Sequence, residues 1–142
     1  MNYVESHYKV AKDKAHRAIC GLSMGGGHSF DISRRFPTKF DYIGLFSAGL
    51  HVGTTGDFRS DFYKQLQGNE EAKTQLATLF KNKPKLYWIG MGKTDFLYKS
   101  SADLRRYFDE KGYKYTYLET EGGHIWRNWR VYLTEFAQKI FK

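Results

Sequence analysis

Arg17-Ala18-Ile19-Cys20-Gly21-Leu22-Ser23-Met24-Gly25-Gly26-Gly27 is the stretch that decides the fold. An apolar run of strand length ends in a glycine, and the residues from Ser23 to Phe36 read as a helix that Pro37 stops. Residues 21–25 satisfy G-x-S-x-G in the context its chemistry requires, with a strand entering and a helix leaving. Residues without bulk at both ends permit a sharp turn, which holds Ser23 strained and exposed above a sheet. The helix start behind it offers backbone N–H groups and a favourable dipole to an oxyanion. The bland alternative is a glycine-rich turn used only for packing or for a phosphate.

Strand and helix periodicity keep alternating downstream. Tyr42-Ile43-Gly44-Leu45-Phe46-Ser47 reads as a second buried strand, Leu86-Tyr87-Trp88-Ile89-Gly90 as a third, and Tyr113 to Leu118 as a fourth. Ala72, Leu76, Leu79 and Phe80 share one helical face ahead of a turn at Pro84. Leu104, Tyr107 and Phe108 share another, opened by a capping box at Ser100 and Asp103 and closed by Gly112. Trp126, Trp129, Leu133, Phe136 and Ile140 mark a last helix. This order predicts an α/β fold, a mostly parallel sheet flanked by helices. Ala48–Gly68, rich in Gly, Thr and Asp, reads as one long loop, a length that is uncommon unless the loop serves a site. Its aromatics Phe58, Phe62 and Tyr63 are candidates to stack on a phenolic ring or a sugar face.

A length of 142 residues suits one domain spanning 1–142. With 41% apolar and 18% aromatic residues and only two prolines, the composition excludes disordered and low-complexity classes. No apolar run approaches the ~18 to 20 residues of a membrane span, and Met1-Asn2-Tyr3-Val4-Glu5 does not read as a signal peptide. Cys20, the single cysteine, excludes an internal disulfide framework and a cysteine metal site. The formal charge of +8 invites a nucleic-acid partner. The distribution argues against one, since the densest run, Lys81/Lys83/Lys85, flanks Pro84 in a turn, and the charge reads as solvated surface.

A serine hydroxyl needs a base, and the base needs an orienting acid. Of five histidines, His7 and His16 precede the elbow in polar company, and His28 lies in the helix after it. His51 opens the long loop as a plausible substrate contact. His124 follows the fourth strand in Glu121-Gly122-Gly123-His124, where a glycine pair lets an imidazole swing over the sheet's C-terminal edge, and it is the preferred base. Asp95 follows the third strand through Gly90-Met91-Gly92-Lys93-Thr94 and is the preferred acid, its alternative being a helix cap. Asp57 and Asp61 fall in the loop, Asp103 and Asp109 in a helix. The chain order Ser23, Asp95, His124 is that of α/β-hydrolases and differs from the chymotrypsin-like and subtilisin-like orders. This chemistry calls for no metal or cofactor.

These stretches resemble the C-terminal half of the "Putative esterase" family of α/β-hydrolases, the carbohydrate esterase family 1 group of feruloyl and acetyl xylan esterases. The resemblance rests on Arg17 to Gly27, on Tyr3-Val4-Glu5 with Tyr8-Lys9-Val10, and on Phe40 to Ser47. It rests also on Gly92-Lys93-Thr94-Asp95 and on Gly122-Gly123-His124 leading to Trp126 and Trp129. It implies an α/β-hydrolase fold, a triad of Ser23, Asp95 and His124, and one oxyanion donor in the Met24 N–H. It further implies a serine esterase that releases acyl groups from plant cell-wall polysaccharide, secreted or periplasmic, with Trp126 beside the substrate. Family members carry more sequence ahead of this region, so the resemblance also implies that the missing N-terminal half, or another copy of the chain, covers the Arg17 to Gly21 edge strand. The rival class is a non-catalytic carbohydrate-binding or interaction module that keeps the half-fold, which would have no need of a nucleophile elbow.

Overall fold

The computed structural model describes residues 1–53 and 61–142. Strands β1 (Ala18–Leu22), β2 (Tyr42–Phe46), β3 (Leu86–Gly92) and β4 (Thr116–Thr120) form one parallel sheet in the order β1-β2-β3-β4. Helices α2 (Met24–Arg35), α4 (Glu70–Lys81) and α5 (Tyr98–Lys111) alternate with the strands, and α6 (Trp126–Ala137) closes the described chain. Short helix α1 (Asn2–His7) precedes the sheet and is tied to it by the Arg17–Glu5 ion pair.

β2 is buried at every position and β3 from Tyr87 onward, the pattern of a parallel sheet covered on both faces. Side-chain alternation then divides two cores. Ile43, Leu45, Tyr87 and Ile89 join Phe30, Leu76, Leu104 and Phe108 on one face, while Tyr42, Phe46 and Trp88 join Tyr132 and Phe136 of α6 on the other. A Cβ at Gly90 would lie 2.7 Å from the Trp88 ring and 2.8 Å from Tyr132, so the missing side chain is what lets α6 approach. The aromatic packing there is edge to face, with Phe46 and Trp88 centroids 5.3 Å apart at 88°.

Four local readings are corrected by the structure. Ala48–Gly68 is not a continuous loop, since it holds helix α3 (Phe62–Gln67), capped by the Asp61 carboxylate accepting from the Lys64 N–H at 3.1 Å. Six residues are too few to show a period, but Phe62 and Leu66 fall one turn apart and are fully buried. The Ser100/Asp103 capping box does not form, because α5 starts three residues earlier, with Leu97 as its N-cap. The Ser100 hydroxyl donates to Leu97 O, and Asp103 pairs with Lys99. β4 begins at Thr116, as Gly112 takes the left-handed conformation (φ 70°) and the Tyr113 N–H donates back to Phe108 O. On α6, Leu133 and Trp126 face outward, and Tyr132 takes the core position instead.

Among the described residues β1 pairs only with β2, and Cys20 on it is exposed. Met24, Ile32 and Phe36 stand exposed along the adjoining α2. No described helix is long and apolar enough to cross a membrane.

Candidate active site

Ser23 occupies the turn between β1 and α2 with φ 56° and ψ −116°, a region that a residue with a side chain enters only under constraint. Close approach explains why the turn is made of glycines. A Cβ at Gly21 would sit 2.1 Å from the Gly25 carbonyl oxygen, and one at Gly27 would sit 2.3 Å from that of Gly49. The Ser23 carbonyl in turn accepts from the Gly26, Gly27 and Gly49 N–H groups at 3.1 to 3.2 Å, fastening the elbow to the β2 exit. The Met24 N–H is the first of α2, one of the four donors at a helix start without an acceptor inside the helix.

Asp95 leaves the C-terminal end of β3. Its carboxylate is buried, with Oδ1 accepting from the Leu97 N–H at 2.9 Å and Oδ2 facing His124 Nδ1 at 2.9 Å. His124 Nε2 lies 3.0 Å from Ser23 Oγ. The three side chains follow the C-terminal ends of β1, β3 and β4 and meet at one sheet edge in an unbroken hydrogen-bonded chain. With Nδ1–H donated to Asp95, Nε2 is left as the acceptor for the serine proton.

The loop carrying His124 is braced from three sides. Gly122 O accepts from the Thr94 N–H at 3.1 Å, Gly123 O accepts from Asn128 Nδ2 at 3.0 Å, and Gly122 itself has φ 84°. A Cβ at Gly92 would meet Gly122 O at 2.3 Å, so β3 and this loop touch through backbone. The imidazole lies between two rings, Phe96 at 4.8 Å and the edge of Trp129 at 4.9 Å. Trp129 is anchored through its Nε1–H, donated to the buried Ser47 hydroxyl at 3.1 Å.

A pocket of about 260 Å³ opens in front of Ser23, with Met24, His28, His51, Phe96 and Leu97 among its walls. His51 therefore lies beside Ser23. Phe62 and Tyr63 do not; both are buried in the core on α3, and the Tyr63 hydroxyl is engaged with Glu110. Trp126 is 67% exposed against Trp129 and is not on the pocket wall. Phe58 lies outside the described residues. Sequence reading missed His28, Phe96, Trp129 and Ser47 as parts of this site. The adjacency of Phe96 to Asp95, and Trp129 one helical turn past the Gly-Gly-His loop, were the available signals.

The "Putative esterase" family model matches residues 1–140. An acetyl esterase of Caldicellulosiruptor saccharolyticus is 26% identical over an alignment covering 100% of this chain and 60% of that protein. An endo-1,4-beta-xylanase/feruloyl esterase of Xylanibacter ruminicola is 29% identical over 98% of this chain and 16% of its own length. A solved ferulic acid esterase superposes with a TM-score of 0.72 at 25% identity, covering 94% of this chain and 54% of that one. The chain thus spans 60% or less of the length of these relatives.

Proposed function

This chain belongs to the "Putative esterase" family, and from that premise we propose that it is the triad-bearing part of a serine carboxylic-ester hydrolase. Ser23 is the nucleophile, His124 the base and Asp95 the acid that orients it. The observation that carries this reading is the continuous Asp95–His124–Ser23 chain, with its links of 2.9 and 3.0 Å at the end of a strained elbow. A module that only bound sugar would need neither the strain nor a buried carboxylate behind the histidine.

Each step of the reaction balances on these atoms. Ser23 Oγ bonds to the ester carbonyl carbon as its proton passes to His124 Nε2, and negative charge collects on the carbonyl oxygen, where the Met24 N–H donates. The carbon–oxygen bond to the alcohol then breaks as His124 returns the proton to the leaving hydroxyl. Water repeats the sequence on the acyl-serine, releasing the acid and restoring Ser23. Asp95 keeps the Nδ1–H tautomer and stabilises the transient imidazolium without taking its proton.

The acyl group is acetyl or hydroxycinnamoyl, and the alcohol is a sugar hydroxyl of plant cell-wall polysaccharide. The printed activities of the relatives support this, as does a pocket whose Phe96, Met24 and Leu97 walls suit an apolar acyl group. A polymer of that size also puts the enzyme outside the cytoplasm, in secreted or periplasmic form. Further polypeptide of the same esterase domain pairs with the free edge of β1 and covers Met24, Ile32 and Phe36, which accords with the greater length of the relatives. Hydrolysis of p-nitrophenyl acetate and methyl ferulate, with and without Ser23→Ala, tests the reading. Loss of all turnover and of fluorophosphonate labelling in the variant is expected. Turnover that survives Ser23→Ala would overturn it.

A further inference from the structure

At the opposite end of the sheet from Ser23, the C-terminal ends of α4 and α5 and the segments leading from them into β3 and β4 line an open groove of about 600 Å³. Its floor includes the stacked rings of Phe80 and Tyr113, 4.3 Å apart and 6° from parallel. Its rim carries Lys81, Lys83, Lys111 and Lys114, all exposed. None of these four ammonium groups is ion-paired with a carboxylate among the described residues, although five other lysines are. The neighbouring acids are occupied elsewhere, Asp109 by the Tyr115 hydroxyl and Glu110 by that of Tyr63. The Tyr113 hydroxyl has no hydrogen-bond partner among the described residues.

Helix ends attract lysines for a reason unrelated to any ligand, since a cation complements the C-terminal end of the dipole. That accounts for Lys81 and Lys111, which close α4 and α5. Lys83 and Lys114 lie past the last helical turns, where that attraction falls off. Lys83 also holds φ 50°, where asparagine or glycine would sit with less strain. A lysine kept in a conformation that disfavours it, at the mouth of a groove with unpaired cations and an aromatic floor, is the pattern of a residue retained for what it contacts.

We propose that this groove is a second carbohydrate site, one that takes a uronic-acid-bearing stretch of polysaccharide. A sugar ring lies against the outward side of the stacked Phe80–Tyr113 pair, and the carboxylates face the four lysines. The site rests on the polysaccharide-esterase reading for the identity of its polymer, and it is separate from the triad by the length of the seven-residue β3, roughly 20 Å at ~3.3 Å per residue. Lysines are compact point charges that attract carboxylates and phosphates alike, and four of them line the described part of the groove. Acidic polysaccharide is preferred to nucleic acid on the strength of the polysaccharide-esterase reading. A polymer held here is kept near the Ser23 edge between turnovers, raising its effective concentration there.

The test is calorimetric titration with oligogalacturonate, neutral xylo-oligosaccharide and poly(U) RNA, using the chain with Ser23→Ala so that no ester is consumed. Oligogalacturonate should bind more tightly than the neutral sugar. The pair Lys83→Asn and Lys114→Gln should weaken it roughly tenfold, while Lys139→Gln, just past the end of α6 and outside the groove lining, leaves it unchanged. Lys83→Asn alone should melt no lower than the parent, which separates lost binding from lost folding. Equal loss with Lys139→Gln, no binding of oligogalacturonate, or tighter binding of poly(U) at equal charge would each overturn the proposal. If ester turnover survives Ser23→Ala but the groove variants still lose binding, the groove stands and only the esterase reading falls.

Discussion

The two glycines of the elbow motif should respond in opposite ways to the same added methyl group. At Gly21 the new Cβ would meet Gly25 O at 2.1 Å, Gly25 C at 2.2 Å and Gly26 N at 2.8 Å. All three are backbone, so no side chain can rotate away, and the start of α2 must retreat by about 1 Å to reach an allowed contact. Overpacking of this kind costs about 1–3 kcal/mol, and the rigid neighbours put Gly21→Ala at the upper end. In a chain of this length that lowers the melting temperature by roughly 6 to 12 °C. Ser23 lies between the displaced segments, and a misplacement of ~1 Å at a reacting group can cost ~10²-fold in rate. At Gly25 the new Cβ meets nothing within 4 Å. Gly25→Ala, inside α2, should therefore raise stability by about 0.4–1 kcal/mol and leave Ser23 where it is. Thermal unfolding followed by circular dichroism, with p-nitrophenyl acetate turnover in parallel, checks both. Gly21→Ala melting like the wild type would refute the close-approach argument, whatever the activity.

Three further outcomes are expected. Asp95→Asn should leave melting nearly unchanged and reduce turnover by about 10⁴-fold, the cost known for the same change in a serine-protease triad, read from steady-state kinetics. Trp129→Phe keeps a ring against His124 but removes the donor to Ser47; it should cost about 1 kcal/mol of stability and lower kcat with little change in KM. Glu119 accepts hydrogen bonds from the Tyr98 and Tyr117 hydroxyls at 2.7 and 2.9 Å, which hold its carboxyl below the ordinary value. That stability is present above about pH 4.3 and is lost as pH falls through the lowered folded value. Glu119→Gln should thus melt below wild type at pH 7 and converge with it in acid.

What was legible in the sequence follows from how local each cause is. The elbow and all four strands are written in runs of adjacent residues, so their existence and order could be read, as could the placement of Ser23, Asp95 and His124 after three of them. The failures have causes that adjacency does not carry. Phe62 and Tyr63 look like loop aromatics because α3 is too short to show its period, and only the packed structure reveals that they face inward. Trp126 and Trp129 are three residues apart, a spacing that predicts one shared face. The fold uses Trp129 against the imidazole and leaves Trp126 exposed, a division set by where Ser47 lies on a different strand exit.

Ser47 shows how the sheet edge sets the geometry of the site. Beyond β1 and β2 the hydrogen-bond ladder runs one rung further, Ser23 N–H to Phe46 O at 2.8 Å and Ser47 N–H to Gly90 O at 2.9 Å. Both serines then turn off the sheet at positive φ, 56° and 44°. Each such residue costs about 1–3 kcal/mol, and a parallel sheet buried on both faces is what can hold it there. Ser23 uses the turn to lift its own hydroxyl toward His124. Ser47, wholly buried, uses it to present a hydroxyl to Trp129, whose ring edge then lies against the same imidazole. The histidine is therefore approached by two strained serines from adjacent strands, one at Nε2 and one through an indole, while Asp95 from the third strand holds Nδ1. Relaxing Ser47 with Ser47→Gly should relieve the backbone cost yet release Trp129. Melting that rises or holds while turnover falls would be the expected signature, and turnover that rises along with it would show that the indole does not position the base.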